Sequence, residues 1–168
     1  MYEPREDSFL LLRHVKDYAK GQVLDIGTGS GILAKEAAKK ANVTACDIDN
    51  EMIKELKKEN INGNITFVHS NLFSNIKGKF DLIMFNPPYL PSQKIKHKDI
   101  DGGKDGTQII AKFLKQAKKH LKKDGKILLL CSSLNKGIEK LFMQYQYKFK
   151  KIDQESLFFE KLFVYELF

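Results

Sequence analysis

Asn86-Pro87-Pro88-Tyr89 closes an apolar run, Asp81 to Phe85 ("DLIMF"), that reads as a buried strand. Neither proline has a backbone N–H, so the turn offers oxygens with few donors to compete for them. That suits a reacting nitrogen that is a poor nucleophile. An amide or exocyclic amino nitrogen has its lone pair delocalised into a carbonyl or a ring. Accepting hydrogen bonds from both of its N–H groups draws the nitrogen toward pyramidal geometry and aims the lone pair. The side-chain oxygen of Asn86 would be one acceptor. The Pro87 carbonyl, held by two prolines with φ fixed at about −65°, would be the other. Tyr89 would then wall the planar group. An Asn-Pro turn that only ends a strand is the competing reading of the four residues taken alone.

A second cluster stands earlier, where "QVLDI" (22–26) runs into Gly27-Thr28-Gly29-Ser30-Gly31 and a later strand ends in Cys46-Asp47. The glycines permit a tight turn and a ligand close to the backbone. A nicotinamide-type G-x-G-x-x-G would need a glycine at 32, where Ile32 stands; this is D-x-G-x-G-x-G. Asp25 would repel a pyrophosphate and suits a ligand bearing ammonium and sulfonium charge. Asp47 has the spacing of the acid that takes ribose hydroxyls in nucleotide-binding βαβ units. Together Asp25, Gly27, Gly29, Gly31 and Asp47 describe a site for S-adenosyl-L-methionine, with the methyl acceptor at Asn86.

The elements that must position these residues alternate. A helix over Asp7–Ala19 precedes strand 22–26, helix 31–41, strand 43–48, helix 50–60 with Ile53 and Leu56 inward, strand 65–70 and strand 81–85. After a Pro- and Lys-rich loop (87–106) come a long helix over 107–122, striped by Ile110, Leu114, Ala117 and Leu121, and a strand at 126–132. A helix over 134–146 leads to two final strands, the last alternating as an antiparallel ending does. The pattern predicts a single α/β domain over 1–168, with a mostly parallel seven-stranded sheet, its last strand antiparallel, and helices on both faces. Ligands of such sheets sit beyond the carboxyl ends of the strands.

Composition narrows the class. The chain has 168 residues, a net charge of +8, and 42% hydrophobic and 30% charged residues, ordinary for a soluble globular domain. No apolar run is long enough to span a membrane, and the acidic N-terminus lacks signal-peptide features, so a cytoplasmic location is expected. Of 29 basic residues only Arg5 and Arg13 are arginine. Arginine is the usual choice for bidentate phosphate and base recognition, so the lysines read as solvated surface before a nucleic-acid site. Cys46 and Cys131 have no metal-ligand spacing and read as buried small hydrophobes; no metal site is expected.

The motifs "YEPREDSFLLL", "VLDIGTGSG", "CDID", "NPPYLP" and "DGGKDG" (101–106), in that order, resemble the HemK-type amide and amino N-methyltransferases. The resemblance is to the short archaeal and eukaryotic branch, which methylates the glutamine of the GGQ motif in class-1 translation release factors. It implies a Rossmann-like class I methyltransferase with catalytic Asn86, Pro87 and Tyr89. It implies that Ser8 lies against the donor, within an N-terminal segment (1–20) packing on that site, that Asp25 and Gly27 line the methionine part, and that Asp47 takes the ribose. Asn71 stands where the family caps the adenine amino group, usually with Asp. It implies no separate substrate domain, and a small zinc-binding activator protein along the edge by 65–70, which could equally be an ordinary covered strand. Lys94, Lys96, His97 and Lys98 could orient a protein substrate, or form a solvated loop; His97 and His14 read as non-catalytic. The alternatives are an adenine-N6 methyltransferase acting on DNA or RNA, which would have to extrude a base, and an inactive donor-binding subunit.

Overall fold

A computed structural model describes residues 6–59, 63–88 and 106–168. Its elements are α1 (Glu6–Tyr18), β1 (Gln22–Ile26), α2 (Ile32–Ala37), β2 (Asn42–Asp47), α3 (Asn50–Lys58), β3 (Ile65–His69), β4 (Phe80–Phe85), α4 (Gln108–Ala117), β5 (Leu121–Ser132), α5 (Ile138–Gln144), β6 (Phe149–Ser156) and β7 (Lys161–Leu167). The strands form one sheet in the order β3-β2-β1-β4-β5-β7-β6. β7 pairs antiparallel with both β5 and β6, and the pairings from β3 through β5 are parallel. The order reverses between β1 and β4, which places the crevice beside the ends of those two strands.

Side chains alternate across each strand, so the core divides into two layers. Val23, Val43, Leu82 and Met84 meet Leu10, Leu11 and Val15 of α1, Leu33 and Ala37 of α2 and Ile53 and Leu56 of α3 on one face. Leu24, Ile83, Phe85 and Leu129 meet Ile110, Phe113 and Leu114 of α4 and Phe142 of α5 on the other. Cys46 and Cys131 are fully buried in this second layer. α3 is started by Asp49, whose carboxylate accepts from the Glu51 and Met52 N–H groups at 3.0 and 3.1 Å. α1 is tied across the sheet to the last strands. Arg13 pairs with Glu155 at 2.9 Å, His14 with Asp153 at 2.8 Å, and the Tyr18 hydroxyl donates to Glu166.

Three expectations need correction. The long helix ends at Ala117; a single 3₁₀ turn (Lys118–His120) follows, and Leu121 is already extended at the start of β5. Leu121 therefore belongs to a strand and not to the helical stripe. A bulge between Phe80 and Leu82 lets the strand begin early, and a Cβ at Gly125 would lie 2.8 Å from the Phe80 carbonyl oxygen, so only glycine lets the two backbones close up. Second, α2 spans six residues and α5 seven, both shorter than their apolar patterns suggest. Third, β7 does not alternate between core and solvent. It is an interior strand, buried on both faces from Val164 to Leu167, and residues 157–160 form the turn before it. No described helix is long and apolar enough to cross a membrane.

Candidate active site

Strand register brings the two motifs together. Asp25 pairs with Ala45 on one side and Met84 on the other, so Asp47 and Asn86 both stand level with Gly27. At roughly 4.8 Å between strands, they flank the glycine turn from either side. The alternation that sends Val23, Val43 and Met84 toward α1–α3 sends Asp25, Asp47 and Asn86 to the same face.

The turn is held open by its backbone. Gly27 has φ +65°, a region closed to most side chains, and Gly31, with φ +76°, caps α2 against Leu56. The Thr28 N–H donates to the Cys46 carbonyl at 2.9 Å, linking the β1 turn to the end of β2. Asp47 ties in the rest. One carboxylate oxygen accepts from the Gly29 N–H at 3.1 Å and the other from the Asp49 N–H at 3.0 Å. Each of those oxygens keeps a second lone pair with which to take a hydroxyl.

Asp25 is 1% exposed. Its Oδ2 accepts from the Thr28 hydroxyl at 2.7 Å, and its Oδ1 has no hydrogen-bond partner among the described residues. Burial pushes its pKa up to about 7, against the pull of the Thr28 hydrogen bond and with help from the Asp47 charge; the Ala34 backbone N–H pulls it down more weakly, without reaching hydrogen-bond geometry. A buried carboxylate oxygen without a partner costs free energy, which a cationic ligand would recover.

At the end of β4 the Asn86 side chain is anchored through its nitrogen, with Nδ2 donating to Ser8 Oγ on α1 at 3.3 Å. Asn86 Oδ1 is buried and has no partner among the described residues. The amide therefore holds its donor engaged and its acceptor free. Ser8 itself is buried in the first turn of α1, and its N–H donates to the Asp7 carboxylate at 2.6 Å. Pro87 is buried and Pro88 exposed. Tyr89, Lys94, Lys96, His97, Lys98 and the 101–105 part of the "DGGKDG" motif lie outside the described residues.

Beyond Asp47 lies a recess of about 290 Å³, lined by Ile48, Asn71, Leu72, Ser74, Ile109, Lys112 and Gln116. It sits at the small end of ligand pockets, which run from roughly 300 to 1,000 Å³. Asn71 is thus placed on this wall, its own N–H donating to Ser74 Oγ at 3.1 Å. Ile48 is 40% exposed, an apolar surface facing the recess from the residue after Asp47. Leu72 has φ +48°, an uncommon conformation for leucine that marks local strain at the site. The sequence reading missed Ile48, Leu72, Ser74, Ile109, Lys112 and Gln116. Only Ile48, an apolar residue directly after the acid, carried a local signal.

The glycine cradle, the partnerless Asp25 oxygen and the level placement of Asp47 and Asn86 thus share one crevice and fit a cationic nucleoside ligand. A family model, the methyltransferase small domain, matches residues 6–158. The chain belongs to this methyltransferase family. A protein of Methanocaldococcus jannaschii, provisionally named as a protein N5-glutamine methyltransferase, is 43% identical to this methyltransferase over 145 residues, covering 80% of the chain and 73% of the relative. The release factor glutamine methyltransferase of Deinococcus radiodurans is 34% identical over 136 residues, covering 71% of the chain but 49% of the relative. This methyltransferase thus spans about three quarters of the first relative's length and half of the second's. Both agree with the resemblance to HemK-type enzymes. Among solved structures, a chain of the E. cuniculi Mtq2–Trm112 complex, which is responsible for methylation of the eRF1 translation termination factor, superposes with a TM-score of 0.79. At 23% identity, over 99% of this chain and 96% of that one, the match shows a common fold.

Proposed function

We propose that this methyltransferase transfers a methyl group from S-adenosyl-L-methionine to the side-chain amide nitrogen (N5) of a glutamine, in the GGQ motif of a class-1 translation release factor. The observation that carries the reading is Asn86: its nitrogen is tethered to Ser8, and its buried oxygen is free among the described residues to accept from an NH₂ group. The relatives named for glutamine methylation support the choice of amide over other nitrogens.

S-adenosyl-L-methionine supplies, when bound, a methyl carbon activated by a sulfonium. Asp25 would hold the cationic amino-acid part, with Gly27, Gly29 and Gly31 allowing close approach. Asp47 would accept the ribose hydroxyls on its remaining lone pairs. The recess walled by Ile48 and Leu72, with Asn71 at its rim, would take a flat base. On the acceptor side, Asn86 Oδ1 and the Pro87 carbonyl would take the two N–H groups of the glutamine amide and so turn its lone pair toward the methyl carbon. Tyr89 would wall that amide. A carbon–nitrogen bond forms as the carbon–sulfur bond breaks, and the proton the nitrogen then carries leaves to water; no general base is needed.

A small zinc-binding activator protein is the partner this reading adds, seated along β3. β3 is the last strand at one edge of the sheet, with Ile65 and Val68 half-buried, and a chain of the Mtq2–Trm112 complex shares the fold. Transfer of tritiated methyl from S-adenosyl-L-methionine tests the proposal, with a GGQ-containing release factor, a DNA duplex and an RNA offered side by side, with and without co-purified partner. Label in the release factor, at glutamine, is the expected result. Label in nucleic acid alone would sink it and favour an adenine-N6 methyltransferase.

A further inference from the structure

Two phenylalanines occupy the tip of the β6–β7 hairpin, and neither is covered. Phe158 is 93% exposed and Phe159 is 88% exposed, the two most exposed large apolar side chains among the described residues. Their rings touch each other edge to face, with centroids 4.7 Å apart and planes at 82°. Single exposed apolar residues are ordinary, but an adjacent aromatic pair at a loop tip is the composition of a binding anchor.

The tip is fixed at the catalytic end of the sheet. β7 runs antiparallel to β5, so its first residues stand at the carboxyl end of β5, with Leu162 paired to Ser132. β5 continues three residues past Leu129, the partner of Phe85, so its end, where the hairpin is attached, stands roughly 7 Å above the level of Asn86, and β7 lies two strands across from β4. Its base is bolted there. Leu157 donates to the Glu160 carbonyl at 2.8 Å to close the turn, Ser133 exchanges hydrogen bonds with Lys161 at 2.8 and 3.0 Å, and the Ser132 hydroxyl donates to the Glu160 carboxylate. The same β5 exit loop holds Gly106, whose carbonyl accepts from Asn135 Nδ2 at 3.2 Å. The aromatic pair therefore stands beyond the carboxyl end of β5, on the side of Asn86 away from the glycine turn and toward the opposite edge of the sheet from β3.

We propose that Phe158 and Phe159 form a substrate-positioning anchor, which grips an apolar side chain on the body of the protein whose glutamine enters beside Asn86. The proposal rests on the glutamine reading of the site. A nucleic-acid strand fits less well: the rings present no pair of parallel faces, and the charges near the tip, Glu155 and Glu160 with Arg13 and Lys161, balance and form no basic patch. An extended loop that delivers one glutamine needs a second contact away from the chemistry to fix its entry, and binding energy collected there lowers KM without touching the reacting atoms.

The test compares the unaltered protein with F158A/F159A and with F159W, which keeps an aromatic ring at the tip, measuring methyl transfer to an intact class-1 release factor. F158A/F159A raises KM for the release factor about tenfold. It leaves kcat within twofold, the donor dissociation constant unchanged and the melting temperature unchanged, because neither ring packs on the core. F159W keeps KM near the original value. An unchanged KM in the double variant overturns the anchor while leaving the glutamine reading intact. A fall in kcat with KM unmoved overturns it as well. If the unaltered protein, with and without partner, methylates no release factor, the glutamine reading falls and the anchor falls with it. An oligonucleotide that inhibits the unaltered protein but not F158A/F159A would put nucleic acid on the tip and overturn the protein occupant.

Discussion

Asn86 Nδ2 donates to the hydroxyl of Ser8, 78 residues earlier in the chain, at 3.3 Å. The bond decides which end of the amide faces the acceptor, because an amide whose N–H is engaged must present its oxygen elsewhere. Ser8→Ala frees the amide to rotate. It should lower kcat by about two- to tenfold, the worth of one hydrogen bond of roughly 0.5–1.5 kcal/mol, with donor affinity little changed. Asn86→Ala, which removes the acceptor itself, should lower kcat by at least about a hundredfold, again with donor binding retained. Initial rates and donor titration separate the two; a large loss of donor affinity in Ser8→Ala would mean that Ser8 holds the donor.

Asp25 should make both stability and donor binding depend on pH. Its carboxyl titrates at about 7 in the fold because it is buried, and at about 4 in an unfolded chain. The folded state therefore keeps an extra proton between those values, and stability falls as pH rises from about 4 to about 7. A cationic donor prefers the ionised form. Its affinity should rise with pH up to about 7 and then level off, with proton uptake by buffer on binding below that point. Calorimetry of donor binding in buffers of different ionisation enthalpy checks this; Asp25→Asn should flatten both profiles and weaken binding.

Asp47 has a structural duty as well as a proposed ligand duty. Its oxygens satisfy the Gly29 and Asp49 N–H groups, so Asp47→Ala leaves two backbone donors without their partner. The variant should lose about 1–3 kcal/mol of stability even without donor, read from denaturant unfolding, and should also bind donor more weakly. Unchanged stability in the donor-free protein would mean that those two hydrogen bonds contribute nothing.

Gly125 offers a control far from the chemistry. A Cβ there would meet the Phe80 carbonyl oxygen at 2.8 Å and the Leu121 side chain at 2.9 Å, at the amino end of β5. Gly125→Ala should cost about 1–3 kcal/mol of stability through overpacking, with the donor dissociation constant unaltered at a temperature where the variant stays folded.

Much of the fold was legible because burial leaves a period in the sequence. β1 was bounded to the residue, and β2, β3 and β4 to within one at each end, because short apolar runs between turn residues suit strands covered on both faces. β7 misled for the same reason: a strand expected to alternate is an interior one, since the last hairpin inserts its second strand next to β5. The end of α4 was misplaced because Leu121 continues the helical stripe and the bulge that pulls it into β5 depends on Phe80, some forty residues away.

The amino-acid order alone determined which chemistry was on offer: an acid before a glycine turn, an acid ending the next strand, and an asparagine ahead of two prolines. These are local patterns, set by what a backbone turn and a few donor and acceptor atoms can do. Only the tertiary structure decided that Asp47 and Asn86 flank Gly27 at one level, that Asp25 is buried deeply enough to hold a proton near neutral pH, and that Ser8 fixes the Asn86 amide. Register, desolvation and a contact across 78 residues arise from packing between distant segments, and no local pattern encodes them.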